Sequence, residues 1–221
     1  MGTLNEGSLH AALKEHYAQP GDDFEVPLDG FVIDIMRDRS GPAELLIEIQ
    51  TSSFASMGSK LDRVLESHRV LLVHPIAVIT VLERDGKRRK SPKRGSLLSI
   101  FDELVSMPTL LDHPNLTLDV VLVNATKRQE HDAKVRRGRG GWRTVDRRLD
   151  DIVETRRFGG VDDLASLLPA KLPAQFTTKD LADAMACRRD VAQQIAYCFR
   201  AAAIFDQIDR TRAGIIYRRT D

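Results

Sequence analysis

The chain has 221 residues, 42% of them hydrophobic but only 5% aromatic, with a formal net charge of +1. That length holds one aliphatic core plus a small second domain, or two small domains, and so balanced a charge excludes a uniformly basic nucleic-acid binder. The two cysteines, Cys187 and Cys198, fall in one helical stretch and form no disulfide framework, so a cytoplasmic protein is expected; no run approaches the roughly 18 apolar residues of a membrane span, and the start has no apolar signal core.

In chain order, residues 5–18 read as a helix, with Leu9, Ala12, Leu13 and Tyr17 at helical spacing and Asn5 as a cap. Pro20-Gly21-Asp22-Asp23 is a break. Residues 24–28, 31–36 and 44–51 read as strands of an antiparallel meander, with a tight turn at Asp29-Gly30 and turn chemistry at Arg39 to Pro42. A helix over 54–68 follows. Val70 to Leu82 is apolar and β-branched but contains Pro75, so it is either one strand with an irregular middle or two strands. The spacing predicts a helix over 96–105, a strand over 116–123, a polar basic connector from 127 and an amphipathic helix over 144–158. A short helix over 161–168 and a linker at Pro169 to Pro173 precede an α-rich unit over 176–219.

The chemistry-bearing pattern sits in the meander. Side chains alternate along a strand, so Glu48 and Gln50 share one face while Leu45, Ile47 and Ile49 share the other. Pairing of 31–36 with 44–51 brings Asp34 onto the face of Glu48. Both acids interrupt apolar runs, where an ionised carboxylate is costly unless it is paired or binds a cation. Two carboxylates together repel, and a divalent cation reverses that repulsion. Hard oxygen donors suit Mg²⁺ or Mn²⁺ and metal-assisted phosphodiester hydrolysis. Taken alone, Asp34 is also readable as a hydrogen-bonded strand residue and Glu6 as a first-turn acid favoured by the helix dipole; His10, one turn after Glu6, is readable either as sharing the face of the same site or as a surface residue.

Gly30-Phe-Val-Ile-Asp34, a short hairpin, and Leu46-Ile-Glu48-Ile-Gln50-Thr51-Ser52 resemble the motif core of the PD-(D/E)XK nuclease superfamily, and residues 5–75 follow its order of helix, meander, helix and strand. The resemblance implies a restriction-endonuclease-like mixed sheet flanked by helices. It also implies metal ligation by Asp34 and Glu48, joined by Glu6 from the first helix. Gln50 stands where most members carry the catalytic lysine; glutamine orients a water but adds no charge, and Lys60 on the next helix is a candidate replacement for that charge. The departure keeps alive a second reading, a non-catalytic DNA-binding or regulatory protein with a degenerate core.

Residues 176–219 resemble a winged helix, which implies DNA contacts from Arg188, Arg189 and Gln193 on its second helix and from Arg210 and Arg212 on the wing; protein docking is the other common use of such a unit. Two basic runs could neutralise phosphates. One is a loop at 84–94 with Arg88 and Arg89. The other surrounds the sole tryptophan, Trp142, and includes Arg136 and Arg137. The expected organisation is a nuclease-like α/β domain over 1–125, a basic connector with helices over 126–173 and a winged helix over 174–221. Its expected activity is Mg²⁺- or Mn²⁺-dependent hydrolysis of DNA, without a membrane and with a homodimer suited to paired cuts.

Overall fold

A computed structural model describes residues 7–132, 141–212 and 214–220. The protein is mixed α/β, with a large mixed sheet flanked by helices. The chain divides into two compact units. The first comprises Met1–Ser52, Leu71–Leu97 and Asp119–Arg156, and the second Ser53–Val70, Leu98–Leu118 and Arg157–Asp221. Each unit gathers separated stretches of sequence.

In the first unit, helix α1 (Ser8–Tyr17) precedes the antiparallel meander β1 (Asp23–Leu28), β2 (Phe31–Arg37) and β3 (Leu45–Ile49). The expected start of the helix at residue 5 lies outside the described residues. The β1–β2 turn is Asp29-Gly30, both with positive φ (49° and 82°), the twist a two-residue hairpin needs. Leu9 and Leu13 of α1 are buried against Ile35, Ile47 and Ile49. Burial of this kind contributes roughly 1.5–3 kcal/mol per side chain.

Strand β4 (Val70–Arg84) is continuous through Pro75. The Gln50 N–H donates to the Val73 carbonyl at 2.8 Å, so Val73, and two residues on Pro75, face the β3 side. β3 has ended at Ile49, so the missing N–H of Pro75 leaves no ladder bond unmade. The basic stretch expected as a loop is instead largely a hairpin: β5 (Lys87–Lys90) pairs antiparallel with β4, Arg84 opposite Lys87, across a turn of Asp85 and Gly86 with φ of 45° and 72°.

β6 (Leu116–His131) runs eight residues beyond the expected strand end at 123, and β7 (Trp142–Phe158) replaces both the end of the expected connector and the expected helix over 144–158. Val145, Leu149 and Ile152 have near-helical spacing, but pairing with β6 overrides it, and Leu149 and Ile152 pack on the core of the first unit. The strand order is β1-β2-β3-β4-β6-β7, with β5 attached to β4. β7 is therefore an edge, and its many charges discourage further pairing.

Asp146 of β7 anchors the start of α1, accepting from the Ser8 N–H at 3.1 Å and the Ser8 hydroxyl at 2.6 Å. That hydroxyl, helped by the Ser8 and Arg147 amides, outweighs burial and holds the Asp146 carboxyl below its ordinary value of 3.8. A lowered carboxyl contributes stability above its unfolded value and loses it as pH falls through the folded one. Asp146→Ala should cost about 1 kcal/mol at neutral pH, and the difference from wild type in denaturant titrations should begin to shrink below the ordinary value of 3.8 and fade only as pH drops through the lowered folded value. A penalty of the same size in acid would contradict this assignment.

In the second unit, the expected helix over 54–68 is a 3₁₀ turn at Phe54–Ser56 followed by α2 (Gly58–Val64). The expected helix over 96–105 is likewise a 3₁₀ turn at Leu97–Ile100 leading into α3 (Phe101–Leu104). After α4 (Val161–Ala165) come β8 (Phe176–Thr177), α5 (Thr178–Ala184), α6 (Arg189–Ala201), β9 (Phe205–Thr211) and β10 (Gly214–Arg219), the three strands forming a small sheet in the order β8-β10-β9. Thr177 and Asp180 form a capping box on α5. Phe199 of α6 packs edge-on to Phe101 of α3 at 5.5 Å and against Phe205 of β9 at 5.3 Å, which ties the helices to the small sheet. Cys187 and Cys198 are both free thiols, as expected, and burial pushes the Cys198 thiol up to about 12.

Candidate active site on the meander

The β2–β3 ladder pairs Arg37 with Leu45, Met36 with Leu46 and Ile35 with Ile47, and it stops there. Partners in a ladder share a face. Asp34 lies two residues from Met36 and Glu48 two residues from Leu46, toward the same end, so the strands direct both acids to one face. Where the ladder stops, the Ile49 N–H donates to Asp34 Oδ2 at 2.7 Å. The carboxylate thus stands in for a strand carbonyl at the point of divergence.

The other edge of β2 is interrupted at the same place. Glu25, opposite Asp34 in register, has φ of 50° and drops out of the β1–β2 pairing while Phe24 and Val26 remain in it. A glutamate in the left-handed region is strained, and such strain concentrates at functional sites. Its carboxylate is held by Lys14 of α1.

Glu48 is 5% exposed, on a strand otherwise made of leucine and isoleucine. Gln50 follows β3; its Nε2 donates to Ser52 Oγ at 3.1 Å, and its carbonyl lies 2.8 Å from His74 Nδ1. His10 of α1 places Nε2 3.2 Å from Asp34 Oδ1. The face-sharing reading of His10, rather than the surface one, is the arrangement found. Its position follows from the Ser8–Asp146 anchor one half-turn earlier.

Other expected site residues distribute as follows. Glu6, Arg136 and Arg137 lie outside the described residues. Lys60 is a half-buried residue of α2, in the second unit rather than in the unit that holds Asp34, Glu48 and Gln50. Arg88 donates to Thr126 Oγ1 at 3.2 Å and lies 3.8 Å from Glu83, whereas Arg89 is exposed on β5. Arg188 is engaged with Asp190, whose carboxyl that guanidinium holds below its usual range. Arg189 and Gln193 are exposed on α6, and Arg210 and Arg212 are exposed on the β9–β10 hairpin.

Two residues were not singled out by sequence reasoning. His74 is buried beside the Gln50 carbonyl; a lone polar residue in the apolar run of β4 is the same signal that marks Asp34 and Glu48. Tyr197 is a large side chain left 44% exposed on α6, on the face of Gln193 one turn earlier.

Among the described residues, no group of three or more His, Cys, Asp or Glu side chains is arranged to hold a metal ion. Asp34 and Glu48 nevertheless form a donor set of the right chemistry, because Mg²⁺ is ordinarily held by one or two carboxylates together with waters and substrate phosphates. Among the described residues no helix is long and apolar enough to cross a membrane.

A family model described as Domain of unknown function (DUF8091) matches residues 7–159, from α1 to just past the end of β7. An uncharacterized protein of Treponema pallidum (strain Nichols) is 34% identical over 188 residues, covering 82% of this chain and 73% of that protein. No solved structure matches.

Proposed function

The chain belongs to the DUF8091 family, a domain of unknown function, so its chemistry has to be read from its own side chains, and we propose that it is a divalent-cation-dependent deoxyribonuclease. The observation that carries the reading is the placement of Asp34 and buried Glu48 on one face at the point where the β2–β3 ladder ends. Asp34 and Glu48 would hold the cation, with the Glu6 position as the resemblance-based third acid. When bound, Mg²⁺ or Mn²⁺ supplies Lewis acidity to a phosphodiester and makes water a nucleophile near neutral pH.

The chain's own groups do the rest. The Ile49 N–H fixes the Asp34 carboxylate, and His10 restrains its other oxygen. Gln50, whose Nε2 donates to Ser52, would orient the attacking water through its side-chain amide. The buried surroundings of Glu48 strengthen every electrostatic contact made there. His74 positions Gln50 through the backbone carbonyl.

The C-terminal order β8-α5-α6-β9-β10 supports a winged-helix reading, in which α6 approaches the major groove and the β9–β10 hairpin touches backbone. Arg189→Ala on exposed α6 should weaken DNA binding and lower the slope of log K against log salt by about 0.9. Arg188→Ala should matter less, because Asp190 already engages that guanidinium. Fluorescence anisotropy over a salt series measures both; equal slopes for wild type and Arg189→Ala would remove α6 from the DNA face.

The test of catalysis is incubation of plasmid and branched DNA with the full chain, with Mn²⁺ or with chelator. Cleavage that requires Mn²⁺ supports the reading. Salt-dependent binding with no cleavage of either substrate favours the non-catalytic alternative, which the Gln50 departure from lysine keeps open.

A further inference from the structure

A cavity of about 330 Å³ opens in the first unit beside the β4–β5 hairpin, lined by Leu82, Arg84, Lys87, Arg88, Arg89 and Trp142. Asp85 at the turn is the acid of this lining. The register places Arg84 beside Lys87 and Leu82 beside Arg89. Those four side chains therefore share one face of the hairpin, which concentrates three cations there. None of the three is in an ion pair with a described carboxylate, and Lys87 and Arg89 are exposed. Like charges at this spacing repel, and an anion relieves them.

The site also has an aromatic plane in a fixed position. The Arg84 guanidinium sits 4.9 Å from the centre of the Trp142 ring. Arg84 Nε donates to Gln129 at 2.8 Å, and Gln129 donates to Thr144 at 3.1 Å, so the guanidinium is held by neighbouring strands rather than left to sample rotamers. His131 meets the indole edge-on at 5.7 Å. Indole and guanidinium planes both stack on nucleobases, and flanking cations neutralise the adjoining phosphates. The cavity lies at the small end of ligand sites, suited to one nucleotide rather than to a duplex.

We propose that the Trp142 pocket takes one unpaired nucleotide of a single-stranded DNA segment, its base against the Trp142–Arg84 pair and its phosphates on Lys87 and Arg89. This deepens the DNA reading above by naming the substrate class, and it rests on that reading for DNA as the partner. Stacking tolerates any base, so the selection is for strand character rather than sequence.

Trp142 is the only tryptophan of the chain, so its emission reports the pocket directly. Full-length protein in chelator, which suppresses cleavage, is titrated with oligodeoxythymidylate and with a blunt duplex of the same length, and a labelled copy of each measures binding by anisotropy. The single strand should quench the emission as it binds, and the duplex should do so far less. Trp142→Ala should weaken single-strand binding roughly five- to hundredfold, with Trp142→Phe retaining most of the affinity. Arg89→Ala should lower the salt slope by about 0.7. Unchanged emission at saturation, equal quenching by duplex, or wild-type affinity in Trp142→Ala would each overturn the proposal, as would no binding at all. Asp34→Asn separates the two readings, because it should keep the quench. Mn²⁺-dependent cleavage without quenching removes the pocket alone, whereas quenching by a wild type that never cleaves supports the pocket and removes the hydrolase.

Discussion

Asp34→Asn is expected to lower Mn²⁺-dependent DNA cleavage by about three orders of magnitude while leaving the fold intact. The magnitude follows from the several kcal/mol that a bound cation contributes to phosphoryl-transfer transition states, at 1.36 kcal/mol per factor of ten. The choice of asparagine follows from the geometry. Asp34 Oδ2 accepts the Ile49 N–H at 2.7 Å, and alanine would orphan that buried donor at a cost of about 1–3 kcal/mol. Asparagine keeps an acceptor and loses the charge. A protein that melts as wild type does and no longer cleaves fits a carboxylate acting on the reaction. Full activity in Asp34→Asn, with the melting temperature unchanged, would leave Asp34 as a strand-capping residue and nothing more.

The strands of this site were more legible than its surroundings. The meander announced itself through alternation and through Asp29-Gly30, a turn whose two positive φ values few other pairs supply. The shared face of Asp34 and Glu48 followed from the period of two alone. What sequence could not give is that both edges of β2 break at Asp34, since that depends on a strained Glu25 in one neighbour and on where the ladder to the other stops.

The second turn of the same chemistry, Asp85-Gly86, went unread because charged residues rather than alternating apolar ones flank it, so β5 looked like a solvated loop. β7 was misread for a related reason. An edge strand with few buried positions carries a weak alternation, and the accidental spacing of Val145, Leu149 and Ile152 imitates a helix until β6 supplies the partner. Residues brought together by such long-range pairing were beyond reach of local pattern. Trp142 and Arg84 are 58 positions apart in sequence and 4.9 Å apart in space; His10 meets Asp34 on a helix held by Asp146, far along the chain, and by the packing of Leu9 and Leu13 on the meander.

Metal binding should be visible without any catalysis, as a rise in melting temperature that depends on Glu48. An ion that binds only the folded chain at a hundredfold its Kd stabilises it by about 2.7 kcal/mol. For a chain of this size that is roughly 5–10 °C in Tm. Glu48→Gln preserves the volume and shape of a side chain that is 5% exposed on β3, so packing changes little, but it removes one of the two charges that face the same side as Asp34. The variant should unfold at a temperature no longer raised by Mn²⁺, and its cleavage should fall in step with that of Asp34→Asn. The two substitutions act on one ion, so their effects should not add: the double variant should be no worse than either single one. Additive losses, or a Mn²⁺ shift that survives Glu48→Gln, would mean that the two carboxylates do not share a cation, and the cleavage chemistry would have to be sought elsewhere in the chain.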